Sequence, residues 1–154
     1  MRSEQLEVAV VMARVTTANR WVSERWEARA VMPDAGLGDE ARVLIEFERE
    51  RQVLHPGFPI ELRRDEAQGY YLNISSPAPS AFVMWRMQED QAVPVLVTAS
   101  YEEAARWLDS GENVDAVSLP AEFLPRLIQF VSEHYRPERK RGRKRDRAPV
   151  PDGR

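Results

Sequence analysis

Few side chains in this sequence are of a type and spacing that could do chemistry. There are two histidines, His55 and His134, and no cysteine. The lack of thiols excludes disulfides, thiolate metal sites and thiol catalysis. His55 sits in His55-Pro56-Gly57-Phe58-Pro59, a composition that reads as a turn. His134 falls near the end of an expected helix, where a lone imidazole ordinarily partners the helix dipole. No His-Glu-x-x-His pair occurs, so no zinc site is expected. Glu46, Glu48 and Glu50 alternate, which would place three carboxylates on one face of a strand and suit a hard cation. A solvated sheet face produces the same pattern, and Arg49 and Arg51 alternate onto the other side. The serines lack a Gly-x-Ser-x-Gly elbow, and neither Gly-rich phosphate-loop pattern is present. No catalytic residue, metal or cofactor is assigned, and the chain reads as a binding protein rather than an enzyme.

The candidates for binding are aromatic and basic. Trp21, Trp26, Trp85 and Trp107 would suit the core and rim of a small β domain, or a groove for a partner. Tyr70 and Tyr71 are expected on opposite faces of a strand, so that one is exposed, with Asn73 close by. Trp21, Trp26, Tyr71 and Asn73 are therefore the expected contact residues of the body. The strongest signal is charge. From Arg136 the sequence is RPERKRGRKRDRAPVPDGR, with nine basic residues against Glu138, Asp146 and Asp152, a net of +6. The preceding 135 residues hold thirteen of the 22 basic residues and 22 of the 25 acidic ones, a net of −9. Arg139, Lys140, Arg141, Arg143, Lys144 and Arg145 form the densest run. Such a run attracts phosphates or an acidic protein surface. It has no aromatic residue on which single-stranded bases would stack.

These residues must be positioned by a framework that the hydrophobic periods outline. Alternation predicts strands over Leu6–Val15, Trp21–Val31, Val43–Phe47, a fourth beginning at Ile60, and Tyr70–Ser75. An apolar strand over Ala81–Met87, covered on both faces, and an edge strand over Val93–Thr98, marked by Pro94, follow. Asn19-Arg20, Pro33–Gly38, Ser75–Ser80 and Gln88–Gln91 read as turns or loops. The period then changes. Ser100-Tyr101-Glu102-Glu103 is a capping box opening a helix, and Gly111 suits its left-handed C-terminal position. A short strand over Val114–Leu119 precedes a second helix. Its stripe is Phe123, Leu124, Leu127, Ile128, Val131 and Tyr135, with Pro120 and Pro125 near its start. The expected fold is α+β: an antiparallel meander or small open barrel with two late helices. Residues 1–135 form one domain and residues 136–154 a disordered basic tail. The apolar run at the N-terminus is too short for a signal peptide or a membrane span, and with no cysteine the expected location is the cytoplasm.

Three blocks of sequence carry a family resemblance. They are Trp21 and Trp26 in RWVSERWEA, the long block IELRRDEAQGYYLNISSPAPSAFVMWRM, and VLVTASYEEAARWLDSGENVDAVSLP, the most specific of the three. Over roughly Val8–Tyr135 the chain resembles the proteobacterial family called domain of unknown function 3305, whose members are typically encoded beside molybdenum- or tungsten-dependent formate dehydrogenase genes. The resemblance implies a non-enzymatic accessory factor in the assembly or maturation of a molybdenum formate dehydrogenase. The partner would be an enzyme subunit or one of its assembly proteins. It transfers no catalytic residues. Some relatives bear names suggesting molybdopterin-guanine dinucleotide synthesis, but a nucleotidyltransferase of that kind opens on a Gly-rich phosphate loop, which this sequence lacks. Two alternatives stand beside this reading: a nucleic-acid-binding or regulatory module acting through the basic tail, and a small pterin-binding carrier.

Overall fold

The computed structural model describes residues 4–17 and 23–137. Seven strands form two antiparallel sheets. The first holds β1 (Glu4–Thr16), β2 (Glu24–Pro33), β3 (Arg42–Glu46) and β4 (Glu50–Leu62) in the order β2-β1-β4-β3. The second holds β5 (Ser80–Gln88), β6 (Gln91–Thr98) and β7 (Asn113–Ser118) in the order β6-β5-β7. This is the expected α+β class, but the strands pair as two hairpins joined through β1 and β4, not as a meander. The helices are α1 (Ala67–Ile74), α2 (Tyr101–Asp109) and α3 (Leu124–His134), one more than the sequence predicts.

β1 is an interior strand of the first sheet, and both its residue sets are apolar. Leu6, Val8, Val10 and Met12 enter the main core, while Ala9 and Val11 join Leu54 in a smaller cluster on the other face, under Leu37. The main core lies between the inner face of the first sheet and Ala81, Val83 and Val97 of the second. Tyr70 of α1 and Leu127, Phe130 and Val131 of α3 close it. Ile128, expected in the buried stripe of α3, is instead exposed, and Phe130 takes its place. Along one seam between the sheets Asp115 substitutes for strand pairing: its Oδ2 accepts the Ala28 N–H at 2.8 Å and the Trp85 indole N–H at 2.9 Å.

His55–Pro59 is not a turn. β4 runs through it, and Pro56 and Gly57 together face Ala9 in a bulge, since Val8 pairs with Phe58 and Val10 with His55. Gly57 supplies the positive φ of +86° that the bulge requires. β3 pairs only with Arg51–Leu54, so one side of β4 carries no ladder beyond Leu54 and its prolines forfeit little there. Asp34 fastens the bulge, its carboxylate accepting the N–H groups of Gly57 at 2.9 Å and Leu37 at 3.0 Å. Those bonds, Leu37 first, hold its pKa below the usual carboxylate value.

Tyr70–Ser75 is not a strand. The buried set Glu66, Ala67, Gly69, Tyr70 and Asn73 has helical spacing. Two of its members are polar and buried through hydrogen bonds, so the helix leaves no apolar period in the sequence. The β5–β6 hairpin turns at Glu89-Asp90, both with positive φ, and β6 is an edge strand as Pro94 predicts. β5 is buried only in its first half, and Met87 is exposed.

Candidate functional site

α1 is the element on which the site is built. Its C-terminal half faces α3: Tyr70 meets Phe130 edge-on with ring centroids 5.7 Å apart, and Tyr71 stacks on Tyr135 at 4.5 Å and 14°. Tyr70 is fully buried; its hydroxyl donates to the Glu61 carbonyl at 3.0 Å and accepts the Arg63 N–H at 2.9 Å. Burial pushes its pKa up to about 12, so it stays a neutral donor. Tyr71, one position on, is 40% exposed, as is Leu72, and Ile128 of α3 is 47% exposed. Tyr71 and the half-buried Tyr135 put a stacked aromatic pair on the α1–α3 side, and Leu72 and Ile128 are further exposed apolar side chains of the same two helices. Arg136, which begins the basic run, follows directly, its guanidinium donating back to the carbonyls of Glu133 and Tyr135.

Beneath that surface α1 is tied to α2 by a buried polar hub. Ser100 caps α2: its hydroxyl accepts the Glu103 N–H at 3.0 Å and donates to Glu66 Oε1 at 2.6 Å. Glu66 also holds Arg106. The expected capping box is only half made, because the Glu103 carboxylate turns away from the Ser100 N–H. It takes the Thr98 hydroxyl at 2.6 Å and Arg63 at 3.0 Å instead, and Thr98 Oγ1 receives the Ser100 N–H at 3.1 Å. Gly69 is required by this closeness: a Cβ there would lie 2.0 Å from Ser100 Oγ. Beside the hub a cleft of about 130 Å³ opens between Phe58–Glu61 of β4 and Val95–Thr98 of β6, with Arg63, Glu103 and Trp107 around it. Its charged groups already pair with each other, Arg63 with Glu61 at 3.7 Å and with Glu103 at 3.0 Å.

Asn73 is not a contact residue. It is 1% exposed, and its amide is consumed internally: Nδ2 donates to the carbonyls of Ser80 at 2.8 Å and Ala99 at 2.9 Å, while Oδ1 accepts the Ser80 N–H at 2.9 Å. Of the other expected contacts, Tyr71 is on the surface described above. Trp26 is half-buried on β2, far along the sequence from α1 and against the core. Trp21 and the run Arg139, Lys140, Arg141, Arg143, Lys144 and Arg145, with the tail expectation as a whole from residue 138, lie outside the described residues. The three described tryptophans do not make one groove: Trp26 and Trp85 pack on the core, and Trp107 lines the cleft. The carboxylates of Glu46 and Glu50 separate, Glu46 to Arg51 at 3.6 Å and Glu50, from the opposite sheet face, to Arg29 at 2.8 Å. Glu48 lies in the turn between β3 and β4. Among the described residues no group of three His, Asp or Glu side chains is placed to hold a metal ion. No described helix is long and apolar enough to cross a membrane. Sequence reasoning missed Ile128 and Leu72 as surface residues; the signal for Leu72 was hidden with the helix that carries it.

Fold and site together define an open, two-sheet α+β domain with an exposed aromatic face on its helical side. The chain belongs to the family described as protein of unknown function (DUF3305), whose model matches residues 7–145 and so includes the KRGRKR run. No curated protein and no solved structure matches the chain.

Proposed function

We propose that the protein is a non-enzymatic accessory factor that docks on an acidic partner through the α1–α3 face and the basic run together. The partner implied by the family resemblance is a subunit of a molybdenum-dependent formate dehydrogenase or one of its assembly proteins, met in the cytoplasm. The observation that carries the reading is the Tyr71–Tyr135 stack. It joins an exposed aromatic surface to the residue immediately before the basic segment. A partner seated there buries aromatic anchors and meets, in the sequence that follows them, a segment of net charge +6. Anchors of this kind hold a complex, and the charge steers it. The acidic body disfavours other acidic approaches away from that corner, which adds orientation.

The test is co-purification with the formate dehydrogenase of the native host, comparing the full chain, a Tyr71→Ala/Ile128→Asp double variant, and a chain ending at Tyr135. The full chain is expected to retain the enzyme. Each altered form should lose it while keeping its far-ultraviolet circular dichroism. Deletion of the gene should lower both formate dehydrogenase activity and its cofactor loading; unchanged activity and loading would overturn the reading. Salt-dependent DNA binding lost on truncation, with no enzyme retained, would move the function to nucleic acid.

A further inference from the structure

We propose that the cross-strand row Trp26–Arg14–Arg51 is a binding site for a phosphoryl group. Arg14 of β1 is the register partner of both Trp26 on β2 and Arg51 on β4, so the three side chains leave the same face of the first sheet side by side. That face is the core face. Two residues earlier in β1, Met12 sits between Ala28 and Val53, and all three are buried. The row lies where the apolar core gives out toward the β1–β2 end of the sheet.

Among the described residues, the buried side-chain nitrogens and oxygens without a hydrogen-bond partner are Arg14 Nε, Arg51 Nε and Trp26 Nε1. These orphans are not scattered: every one belongs to this row. Each is a donor, and a buried donor without an acceptor is a net cost to the fold. Two arginines directly opposite each other on neighbouring strands add like-charge repulsion. The nearest carboxylates offset part of that repulsion but leave the Nε donors without acceptors. Glu24 lies 3.9 Å from Arg14 Nε and Glu46 lies 3.6 Å from Arg51 Nε, both too far for hydrogen bonds and both mostly solvated. The arginines are 22% and 30% exposed, so part of each side chain still reaches solvent.

The chemistry of the row selects its ligand. Guanidinium and indole N–H groups donate and do not accept, so the ligand presents oxygen acceptors and negative charge. Two adjacent guanidinium charges favour a doubly charged tetrahedral phosphoryl group over a singly charged carboxylate, and the guanidinium fork matches its oxygens in pairs. The source of that group is either the free ion or a phosphomonoester. The site is distinct from the α1–α3 face and does not depend on the function proposed for it.

The experiment follows the indole N–H resonance of Trp26 in nitrogen-15-labelled full-length protein, assigned by its absence in Trp26→Phe. Inorganic phosphate, glycerol 3-phosphate, acetate and sodium chloride are titrated at matched ionic strength. Saturable movement of the Trp26 signal with either phosphate probe, and not with chloride, is expected. A response to both probes marks a free-ion site, and a response to the ester alone marks the head of a larger ligand. Arg51→Lys keeps the charge and removes the fork, and should weaken binding by about tenfold. Glu46→Gln, at an exposed position, removes a competing carboxylate and should strengthen it. An equal response to acetate, no saturable response to either phosphate probe, or unchanged affinity in both variants would overturn the assignment.

Discussion

Asn73→Ala separates scaffold from contact surface more sharply than any other substitution in this protein. The amide makes three hydrogen bonds, two to carbonyls and one from an N–H, across the gap between α1, the start of β5 and the end of β6. Alanine removes all three and leaves their partners behind. The Ala99 carbonyl is sealed from water, because Ala99 is fully buried; stranding it costs about 1–3 kcal/mol. Ser80 is half-buried, so water can reach its N–H and carbonyl in part, and each is assigned about 0.5–1 kcal/mol. The expected loss is about 3 kcal/mol, with a small cavity term in the same direction. For a domain near 150 residues that lowers the melting midpoint by about 6–12 °C. Equilibrium urea unfolding, followed by tryptophan fluorescence, should show a lower midpoint with an unchanged slope. Asn73→Asp should be at least as damaging, since it retains the acceptor for Ser80 N–H but turns a carboxylate oxygen toward two carbonyls. A loss below about 1 kcal/mol in Asn73→Ala would refute the reasoning, because it would mean that these bonds contribute no more than exposed ones.

Two further outcomes follow from the same framework. Gly69→Ala gains helix propensity worth about 1 kcal/mol but forces its Cβ into Ser100, whose hydroxyl is held by both Glu66 and the Glu103 N–H, so a net loss of about 1–2 kcal/mol is expected in urea unfolding; Ser100→Gly in the same chain should recover part of it. Burial holds the His55 pKa below its ordinary value of 6.5. The unfolded chain therefore binds a proton that the fold resists, and stability present above 6.5 is lost as pH falls from there toward the folded pKa. Unfolding free energy measured across that range should fall less steeply for His55→Asn than for the parent; parallel curves would remove His55 from the account.

What was legible in the sequence depended on whether burial was achieved with apolar side chains. β1 announced itself through an unbroken valine-rich run, and α2 through its Ser100 cap and Gly111, which does take a positive φ of +88°. Pro94 marked an edge strand because a missing N–H has one simple consequence. α1 was hidden because two of its five inward residues, counted from Glu66, are a carboxylate and an amide, so an alternating Tyr70-Leu72-Ile74 pattern outweighed the true period. The bulge at Pro56-Gly57 was hidden because the same residues that make a turn also make a bulge. The difference lay in where β3 stops, a long-range fact. Asn73 was misjudged with its helix: an amide on an expected exposed strand reads as a contact, and the same amide on an inward helix face is a clamp.

The two longer blocks that carry the family resemblance meet in space, and this bears on what they are for. Arg63, Glu66, Gly69 and Asn73 come from one, and Thr98, Ala99, Ser100, Glu103 and Arg106 from the other; every hydrogen bond of the hub crosses between them or closes one end of it. Residues so fully engaged with each other have little donor or acceptor capacity left for a partner. Their effect is to fix the position of α1 against α2, and so the angle at which Tyr71 and Leu72 leave the surface. Tyr70, locked between Glu61, Arg63 and Phe130, fixes the rotation of the same helix about its axis. A short helix of eight residues has almost no stability of its own, so its orientation is set by these anchors and not by its propensity. The shared blocks are therefore scaffold for the α1–α3 face. Under the function proposed above, the contacts fall to side chains that this scaffold leaves exposed, Tyr71 and Ile128, and to the basic residues that follow Tyr135 in the sequence.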